Sequence, residues 1–223
     1  MEKKLKKYLE KLKKCPLFDG IGEEALLRML ECLGARVECF DKKYTVLAQG
    51  SPARYIGIVL SGSVQILQND YYGNRSILSH ISPPHVFSEA FACADLASLP
   101  VSVVANEMSE IMLIDCSHIL HTCEKYCDHH QKLIYNLMKD LAQKTVMFHQ
   151  KMEITSKRTT REKLLSYLAA RAREAGGRSF EIPFDRQELA DYLEVDRSGL
   201  SSEIGKLKRE GVLFCEKKYF ELL

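Results

Sequence analysis

The sequence predicts an α+β protein with a β-rich N-terminal half, one long helix and a small helical C-terminal domain. Between Val37 and Ile114, short apolar runs alternate with turn signals, as in a sandwich, barrel or roll. After Ser117, apolar residues recur at helical spacing over a long stretch that lacks proline and glycine. From Asp185 to Gly211, two helices with N-cap signals flank a short turn. The 223 residues, 46% of them hydrophobic, suffice for a large core.

Residues 1–33 are predicted to form short helices ahead of the β region. Four apolar side chains share one face of the first helix, while seven lysines within the first fourteen residues solvate the other face. The apolar face comprises Leu5, Tyr8, Leu9 and Leu12. We therefore interpret this basic segment as an amphipathic helix rather than a DNA-binding arm. Pro16 ends the helix, and a helical pattern resumes at Glu23–Cys32.

The β region is predicted from alternating apolar runs and the turns between them. Tyr55–Leu60 and Val64–Leu67 flank Ser61-Gly62, which predicts a hairpin. Further strands are predicted at Ser76–Ile81, Val101–Ala105 and Ile111–Ile114. Turn signals separate the runs at Gly50-Ser51-Pro52, Asn69-Asp70, Gly73-Asn74 and Pro83-Pro84.

A helix of about 30 residues is predicted after the β region. Its apolar stripe comprises Ile134, Leu137, Leu141, Phe148 and Met152. Such a long stripe needs a partner, and a matching helix from a second copy of the chain is the economical one. Packing against its own β domain is the alternative.

The C-terminal residues carry the clearest functional signal. Asp185, followed three residues later by Glu188, forms a capping box for a first helix at Arg186–Leu193. After a short turn, Asp196 caps a second helix at Arg197–Arg209. Gly211 ends that helix, and two apolar runs then predict a β-hairpin wing. The pattern is that of a winged helix-turn-helix, which indicates DNA binding.

The second helix exposes small and polar side chains on one face, which lets a helix enter the major groove. Arg197 lies in its first turn, where it can reach phosphate or guanine. Other basic and polar residues are expected to contact the DNA backbone. The DNA-binding residues predicted in this way are Arg197, Ser198, Ser201, Ser202, Lys206, Arg186, Gln187, Lys208, Lys217 and Lys218. The alternative is a winged helix used only for protein contacts.

Nearly the whole chain resembles the Crp/Fnr family of bacterial regulators. The strongest part is DRQELADYLEVDRSGLSSEI, which starts at Asp185 and resembles the recognition motif of clostridial-type members. Thr159–Leu164 resembles the opening of the family's DNA-binding domain. Gly50 and Tyr55–Ile66 resemble its cyclic-nucleotide-binding-like β-roll (jelly roll). The resemblance implies a homodimer in which the long helix is the dimerisation helix and the β-roll senses an effector.

The effector region departs from the family members that bind cyclic AMP. In those members a Gly-Glu pair holds the ribose and an Arg-Ser pair holds the phosphate, whereas here Ser88-Glu89 and Pro100-Val101 stand at these places. Without the arginine, a buried phosphodiester lacks its bidentate partner, which argues against cyclic AMP. The four residues remain a candidate pocket for an unknown small effector, although Glu89 could equally cap or pair locally. No cofactor is evident in the sequence.

The recognition helix also departs from relatives of the cyclic AMP receptor. Those relatives carry Arg-Glu with a second arginine further on, whereas this chain has Arg197-Ser198 and Ser202. We therefore expect a different operator sequence.

Cysteines and histidines at positions 116–130 are a candidate metal or redox site. Cys123 and Cys127 lie one helical turn apart, so a soft metal or a redox switch could use them. The cysteines at 15, 32 and 39 are too far apart for the N-terminal iron–sulfur cluster of some family members. A cysteine pair on a helix can equally consist of core and surface residues without chemistry.

Several functional classes lack support in the sequence. It has no phosphate-binding glycine loop, nucleophile elbow or His-Glu-x-x-His motif, so no enzyme activity is predicted. No apolar run approaches the length of a membrane span, and the charged N-terminus is not expected to be a signal peptide because no apolar run follows its charges. We therefore expect a cytoplasmic protein with mostly reduced cysteines. The net charge of +2 permits DNA binding without arguing for it.

The sequence thus predicts a dimeric transcriptional regulator with three parts. Residues 1–116 form the effector-sensing domain with its N-terminal helices, 117–153 the dimerisation helix, and 154–223 the winged helix-turn-helix domain. The predicted partners are a palindromic double-stranded DNA operator, a second copy of the chain, RNA polymerase and a small effector, with no membrane. The signal that the effector-sensing domain receives is expected to be a small molecule or a redox change. The rival interpretation is a ligand-binding or protein-interaction module whose winged helix does not bind DNA.

Overall fold

The computed structural model describes residues 6–120 and 128–223, which form two compact units. The first unit contains the described residues of 1–68 and 79–145. The second unit contains residues 69–78 and 146–223. The three-part division predicted from the sequence stays a prediction. The boundary between the two units falls inside the long helix, between residues 145 and 146.

Two four-stranded sheets make up the β-rich part of the chain. The first sheet has the order β1 (Arg36–Phe40), β8 (Ser109–Asp115), β3 (Tyr55–Ser61) and β6 (Val86–Phe87). The second has the order β2 (Thr45–Leu47), β7 (Ser102–Ala105), β4 (Val64–Asn69) and β5 (Arg75–Ile81). The β-roll expected from the resemblance is therefore present.

The predicted hairpin between β3 and β4 is wrong. Both strands form, but they lie in different sheets, and β3 pairs with β8 and β6 instead. Residues 56–60 of β3 are all buried, so the strand is not half-exposed as a simple hairpin strand would be. The connection turns at Gly62, which has a φ of +75° and where a Cβ would lie 2.3 Å from Ser109 Oγ. The two runs are thus neighbours along the chain without being partners.

Short helices cover the first sheet and complete the core of the first unit. They are α1 (Leu9–Leu12), a 3-10 turn (Pro16–Phe18), α2 (Glu23–Cys32), α3 (Glu89–Cys93) and α4 (Cys116–Leu120). Leu12 and Leu26 from the N-terminal helices pack in one hydrophobic cluster with Ile58, Ile114 and Leu133. The apolar face predicted for the first helix is confirmed at Tyr8, Leu9 and Leu12, which are buried, while Leu5 lies outside the described residues.

The long helix α5 (Asp128–Thr155) spans 28 residues, as the stripe of apolar residues predicts. One member of that stripe needs correction. Leu137 is only 2% exposed and packs in the core of its own unit, so it is unavailable to a partner helix. Phe148 and Met152 are 43% and 57% exposed, as is Met138 at 60%, which the stripe did not include. The helix therefore uses one face for its own core and leaves another open.

The second unit contains a winged helix-turn-helix. Its helices are α6 (Thr160–Ala175), α7 (Arg186–Leu193) and α8 (Arg197–Arg209). Its sheet has the order β10 (Leu213–Glu216), β11 (Tyr219–Leu222) and β9 (Ser179–Glu181), so the predicted wing is β10–β11. The bounds of α7 and α8 coincide with those predicted, because their caps are local signals.

The β4–β5 hairpin tip, residues 69–78, belongs to the second unit. Lys151 of α5 donates hydrogen bonds to the backbone oxygens of Ile77 and Leu78. The same ammonium lies 4.5 Å from the ring of Tyr192 on α7. Arg75 approaches Asp191 within 3.8 Å. Residues far apart in sequence thus join the hairpin tip to the helix-turn-helix within this unit.

Candidate nucleic-acid interface and effector site

The N-terminus of α7 carries the predicted capping box. Asp185 Oδ1 accepts a hydrogen bond from the Glu188 backbone N–H at 2.9 Å, and Glu188 Oε2 accepts one from the Asp185 N–H at 2.7 Å. The helix ends at Leu193 and is followed by its C-cap residue Glu194, whose φ of +55° is left-handed. A left-handed residue lets the chain turn sharply into the next helix. The geometry of the turn is therefore fixed at both ends of α7.

The N-terminus of α8 is capped by Asp196. Its Oδ2 accepts hydrogen bonds from the Gly199 N–H at 2.7 Å and from Ser198 Oγ at 2.5 Å. The bond from Ser198 and those from backbone N–H groups hold the pKa of Asp196 below its usual value. The hydroxyl proton of Ser198, a predicted DNA contact, is therefore directed at the cap of its own helix.

Two opposite faces define α8. Leu200, Ile204 and Leu207 are buried on the inner face. The outer face exposes predicted contact residues, namely Arg197, Ser198, Ser201, Ser202 and Lys206. Among residues 6–120 and 128–223, no hydrogen bond or ion pair engages the Arg197 guanidinium. Lys206 forms an ion pair with Glu203 at 3.3 Å. Among the described residues, the Arg197 guanidinium thus has no partner, and it lies beside small side chains with hydroxyl groups.

Not all of the predicted backbone-contacting residues are equally exposed. Arg186 is half-buried, with its guanidinium 5.9 Å from the Phe220 ring and Nη2 4.0 Å from Cys215 Sγ. Its position against the wing favours a packing role. Gln187 is exposed and donates to Asp191 Oδ1 at 2.7 Å.

The three wing-side lysines are exposed. Lys208 Nζ donates to the Cys215 carbonyl at 3.2 Å, and Lys218 Nζ donates to the Pro183 carbonyl at 2.6 Å. Lys217 lies in the turn between β10 and β11 with a φ of +52°. These side chains give the wing a positive edge, which suits contacts with phosphate.

Arg161 is a positioning residue whose contacts the sequence did not reveal. Its guanidinium bonds to both carboxylate oxygens of Glu210, at 3.1 and 2.5 Å, and approaches Glu203 at 3.3 Å. These bonds tie α6 to the C-terminal part of α8. Because the partners lie more than 40 positions away, no local pattern could have identified them.

The candidate effector residues lie at the start of α3. Ser88 has a φ of +66°, and both Ser88 and Glu89 are buried. Lys144 of α5 donates to Glu89 Oε1 at 2.8 Å and to the Val86 carbonyl at 2.7 Å. It also pairs with Asp140 at 2.8 Å. Glu89 is therefore held by Lys144, which lies 55 residues further along the chain, a contact that the sequence could not show.

Two polar oxygens at this place lack hydrogen-bond partners among the described residues, namely Ser88 Oγ and Glu89 Oε2. Of the other two candidates, Pro100 is exposed and Val101 is buried, and neither supplies a charge. Asp140 also lines a cavity of about 320 Å³ in the first unit, whose walls include Lys13, Lys14 and Lys139. Buried oxygens without partners mark a place where an added hydrogen-bond donor would be stabilised.

The predicted metal or redox residues Cys123 and Cys127 lie outside the described residues. His118 and His130 each contact a backbone oxygen, of Leu33 at 3.0 Å and of Ile119 at 2.7 Å. Within the described ranges, no three histidine, cysteine or acidic side chains form a group that could hold a metal ion. In the same part of the chain, no helix is both long and apolar enough to cross a bilayer.

Two family models match separate parts of the chain. The cyclic nucleotide-binding domain matches residues 37–126, and the Crp-like helix-turn-helix domain matches residues 162–223. The transcriptional activator protein FnrL of Cereibacter sphaeroides is 36% identical over 76 residues. That match covers 30% of this chain and 31% of the length of FnrL.

Solved structures of similar fold cover most of the chain. FixK2 from Bradyrhizobium japonicum aligns with a TM-score of 0.67 and 20% identity, over 84% of this chain and 92% of its own. CLP of Xanthomonas campestris, described as a c-di-GMP responsive global regulator, aligns with a TM-score of 0.72 and 17% identity, over 87% and 98%. At such identities the likeness concerns the fold.

Proposed function

Because the chain belongs to the Crp/Fnr family, we propose that it is a sequence-specific DNA-binding transcriptional regulator. In this proposal it acts as a homodimer that places two copies of α8 in successive major grooves of a palindromic operator. Two-fold symmetry sets the half-sites about 34 Å apart. RNA polymerase is a further proposed partner.

The observation that carries the proposal is the outer face of α8. Arg197 is exposed and uncommitted, and the neighbouring Ser201 and Ser202 are small enough to let the helix approach base edges. The N-terminus of α8 also favours phosphate. Arg197 is therefore proposed to contact guanine or phosphate. Contacts with the sugar-phosphate backbone of the DNA are proposed for Lys206, Lys208, Lys217, Lys218 and Gln187.

The open face of α5 supports the homodimer. Ile134, Met138, Leu141, Thr145, Phe148 and Met152 follow one another at alternating spacings of four and three residues, the pattern of a two-helix seam. Met138, Phe148 and Met152 are exposed in the single chain. A second copy of α5 would cover them, so we propose that α5 is the dimerisation helix.

The first unit is proposed to sense an effector near Ser88 and Glu89. Their buried oxygens without partners support a ligand that donates hydrogen bonds. Pro100 and Val101 offer no cation for a phosphodiester, which argues against cyclic AMP. Lys144 of α5 donates a hydrogen bond to Glu89. A ligand that binds Glu89 would therefore act directly on a residue of the proposed dimerisation helix.

Fluorescence anisotropy with the full chain tests the DNA-binding proposal. Labelled duplexes from upstream of its own and neighbouring genes are compared with a scrambled duplex at two salt concentrations. We expect specific binding that weakens as salt rises, since phosphate contacts release counterions. Absence of salt-sensitive binding to any of these duplexes would leave the protein-interaction module as the better interpretation.

The variant Arg197→Ala tests the residue that the proposal depends on. We expect it to lose about 1–3 kcal/mol of specific binding free energy. Arg173→Ala, which changes an exposed arginine on α6 that is not among the proposed DNA contacts, is the matched control and should bind as the unmodified chain does. Equal affinities of the two variants would contradict the role of Arg197.

A further inference from the structure

Two cysteines that lie 23 residues apart in the sequence are adjacent in the first unit. Cys93 is the last residue of α3 and Cys116 is the first residue of α4. Their sulfur atoms lie 3.5 Å apart. Cys116 is only 3% exposed, whereas Cys93 is half-buried and open to a small reagent. The arrangement combines one accessible thiol with one protected thiol.

We propose that Cys93 and Cys116 form a reversible disulfide when the protein meets a hydroperoxide, and that this bond is a redox input to the sensing unit. Its regulatory meaning rests on the function proposed above, whereas the disulfide chemistry does not. The pair is distinct from Cys123 and Cys127, the residues singled out by spacing.

Little movement separates the thiols from a disulfide. A disulfide has an S–S distance of about 2.0 Å, so the sulfurs must approach by about 1.5 Å from their present 3.5 Å. Other free cysteines are less suited. Burial raises the pKa of Cys15 to about 12, and Cys32 and Cys39 are exposed on the surface.

The two thiols have different chemical roles. A hydrogen bond from the Cys116 thiol stabilises the Cys93 thiolate and lowers the pKa of Cys93. The same bond, together with burial, raises the pKa of Cys116. The thiolate is the reactive form of cysteine, so Cys93 attacks first and Cys116 resolves.

The chemical steps balance with hydrogen peroxide as the oxidant. The Cys93 thiolate attacks one peroxide oxygen, the O–O bond breaks, and the leaving hydroxide takes up a proton to become water. Cys93 is now a sulfenic acid. The Cys116 sulfur then attacks the Cys93 sulfur, the S–OH bond breaks, and the departing hydroxide takes the Cys116 proton as a second water. Two thiols and one peroxide thus yield one disulfide and two waters, and a dithiol reverses the bond by exchange.

The pair lies between segments that matter for sensing. α3 begins with Glu89, the partner of Lys144 on α5. On the other side, the Cys116 N–H donates to the Arg54 carbonyl at 3.0 Å, and Asp115 pairs with the Arg54 side chain. A disulfide would therefore tie the helix that carries Glu89 to the firmly held end of β8.

Peptide mapping of the full-length protein tests the disulfide itself. The reduced protein is treated with hydrogen peroxide, its remaining thiols are blocked with N-ethylmaleimide, and peptides are analysed without reduction. We expect a Cys93–Cys116 linked peptide and the loss of two of the eight alkylatable thiols, both reversed by dithiothreitol. Bonds of either residue to another cysteine, or over-oxidation without a linked peptide, would overturn the proposal.

Serine variants assign the order of events. Cys116→Ser should leave a Cys93 sulfenic acid that dimedone labels, whereas Cys93→Ser should leave no label at Cys116. Cys32→Ser, which removes an exposed thiol, is the matched control and should form the disulfide normally. Labelling at Cys116 instead would reverse the assigned roles.

DNA affinity separates the regulatory claim from the chemistry. Oxidation should change the Kd for the operator at least threefold in the unmodified protein and leave it unchanged in Cys93→Ser. If the disulfide forms but the Kd stays the same in the unmodified protein, the pair is not a sensor. If neither redox state binds any DNA, the proposed regulator function fails while the mapped disulfide stands.

Discussion

At the scale of single residues, Gly57 shows how closely the first sheet is packed. A Cβ at this position of β3 would lie 2.0 Å from the Phe87 ring. No real side chain tolerates that distance, so the ring of Phe87 crosses the strand only because position 57 lacks a side chain. Phe87 directly precedes Ser88 and Glu89, so Gly57 helps to seat the segment that carries the candidate effector residues.

Replacing Gly57 with a larger residue should therefore lower the stability of the folded protein. We expect Gly57→Ala to lower the free energy of unfolding by about 1–3 kcal/mol, because the ring must move out of a filled core. Urea denaturation followed by circular dichroism measures the change. Gly177→Ala is the control, since a Cβ there meets nothing within 4 Å and should have little effect. Similar midpoints for the two variants would argue against the close packing.

Lys151 is a second residue with a physical consequence of its own. Burial lowers its pKa from 10.5 to about 8. The charged form is thus disfavoured in the folded state, so this lysine destabilises the fold at pH values below 8. This loss of stability diminishes as the pH rises from about 8 towards 10.5, because the folded chain releases the Lys151 proton first and the unfolded chain releases it only near pH 10.5.

The pH dependence of stability tests this account. Between pH 7 and pH 9.5, we expect the free energy of unfolding of the second unit to gain on the order of 2 kcal/mol from Lys151. Lys151→Met should remove that gain, and Lys217→Met, which changes an exposed lysine of the same unit, should keep it. Thermal melts at the two pH values provide the comparison, and an unchanged response in Lys151→Met would contradict it.

At the scale of elements, the sequence was most informative where the signals are local. The bounds of α7 and α8 follow from Asp185, Asp196 and Gly211, whose effects act within one helical turn. The pairing of β3 with β8 was missed because alternation identifies a strand without identifying its partner. Leu137 was assigned to the dimer stripe for a related reason. Helical spacing shows that an apolar face is buried, but it does not show whether the chain's own β domain or a second copy of the chain buries it. The same limit hid the contact between Lys144 and Glu89.

The cap of α7 gives a prediction at this scale. Asp185→Ala removes the acceptor for the Glu188 N–H and should cost about 1 kcal/mol of unfolding free energy. Asp185→Ser keeps an acceptor at the N-cap and should retain most of the stability. Urea titrations of the three proteins measure the difference. Equal losses in both variants would mean that the aspartate acts other than as a cap.

At the scale of the whole molecule, the proposed seam of α5 decides the oligomeric state. Met138 and Phe148 are large, apolar and exposed in the single chain, which favours burial against a second copy. In the proposed function, operator symmetry, half-site spacing and any signal from the first unit all depend on this seam. The sequence predicted a long helix with a partner, but only the structure separates its open face from its core face.

A charged substitution in the seam should produce monomers. We expect Met138→Glu to shift the mass measured by light scattering from twice the chain mass of 25.5 kDa to the single value. Val146→Glu changes an apolar residue that is exposed outside the seam and should leave the dimer intact. A dimer that survives Met138→Glu would place the interface elsewhere.

The hairpin tip at residues 69–78 has a consequence for dividing or recombining this chain. Because the tip shares a unit with residues 146–223, the DNA-binding half is not one continuous stretch of sequence. A fragment beginning at residue 154 would lack Lys151 as well as the Ile77 carbonyl that it binds. Tyr192 would then lose its covering ammonium. Exchange of this half between relatives therefore has to carry the β4–β5 tip and the end of α5 together with the winged helix.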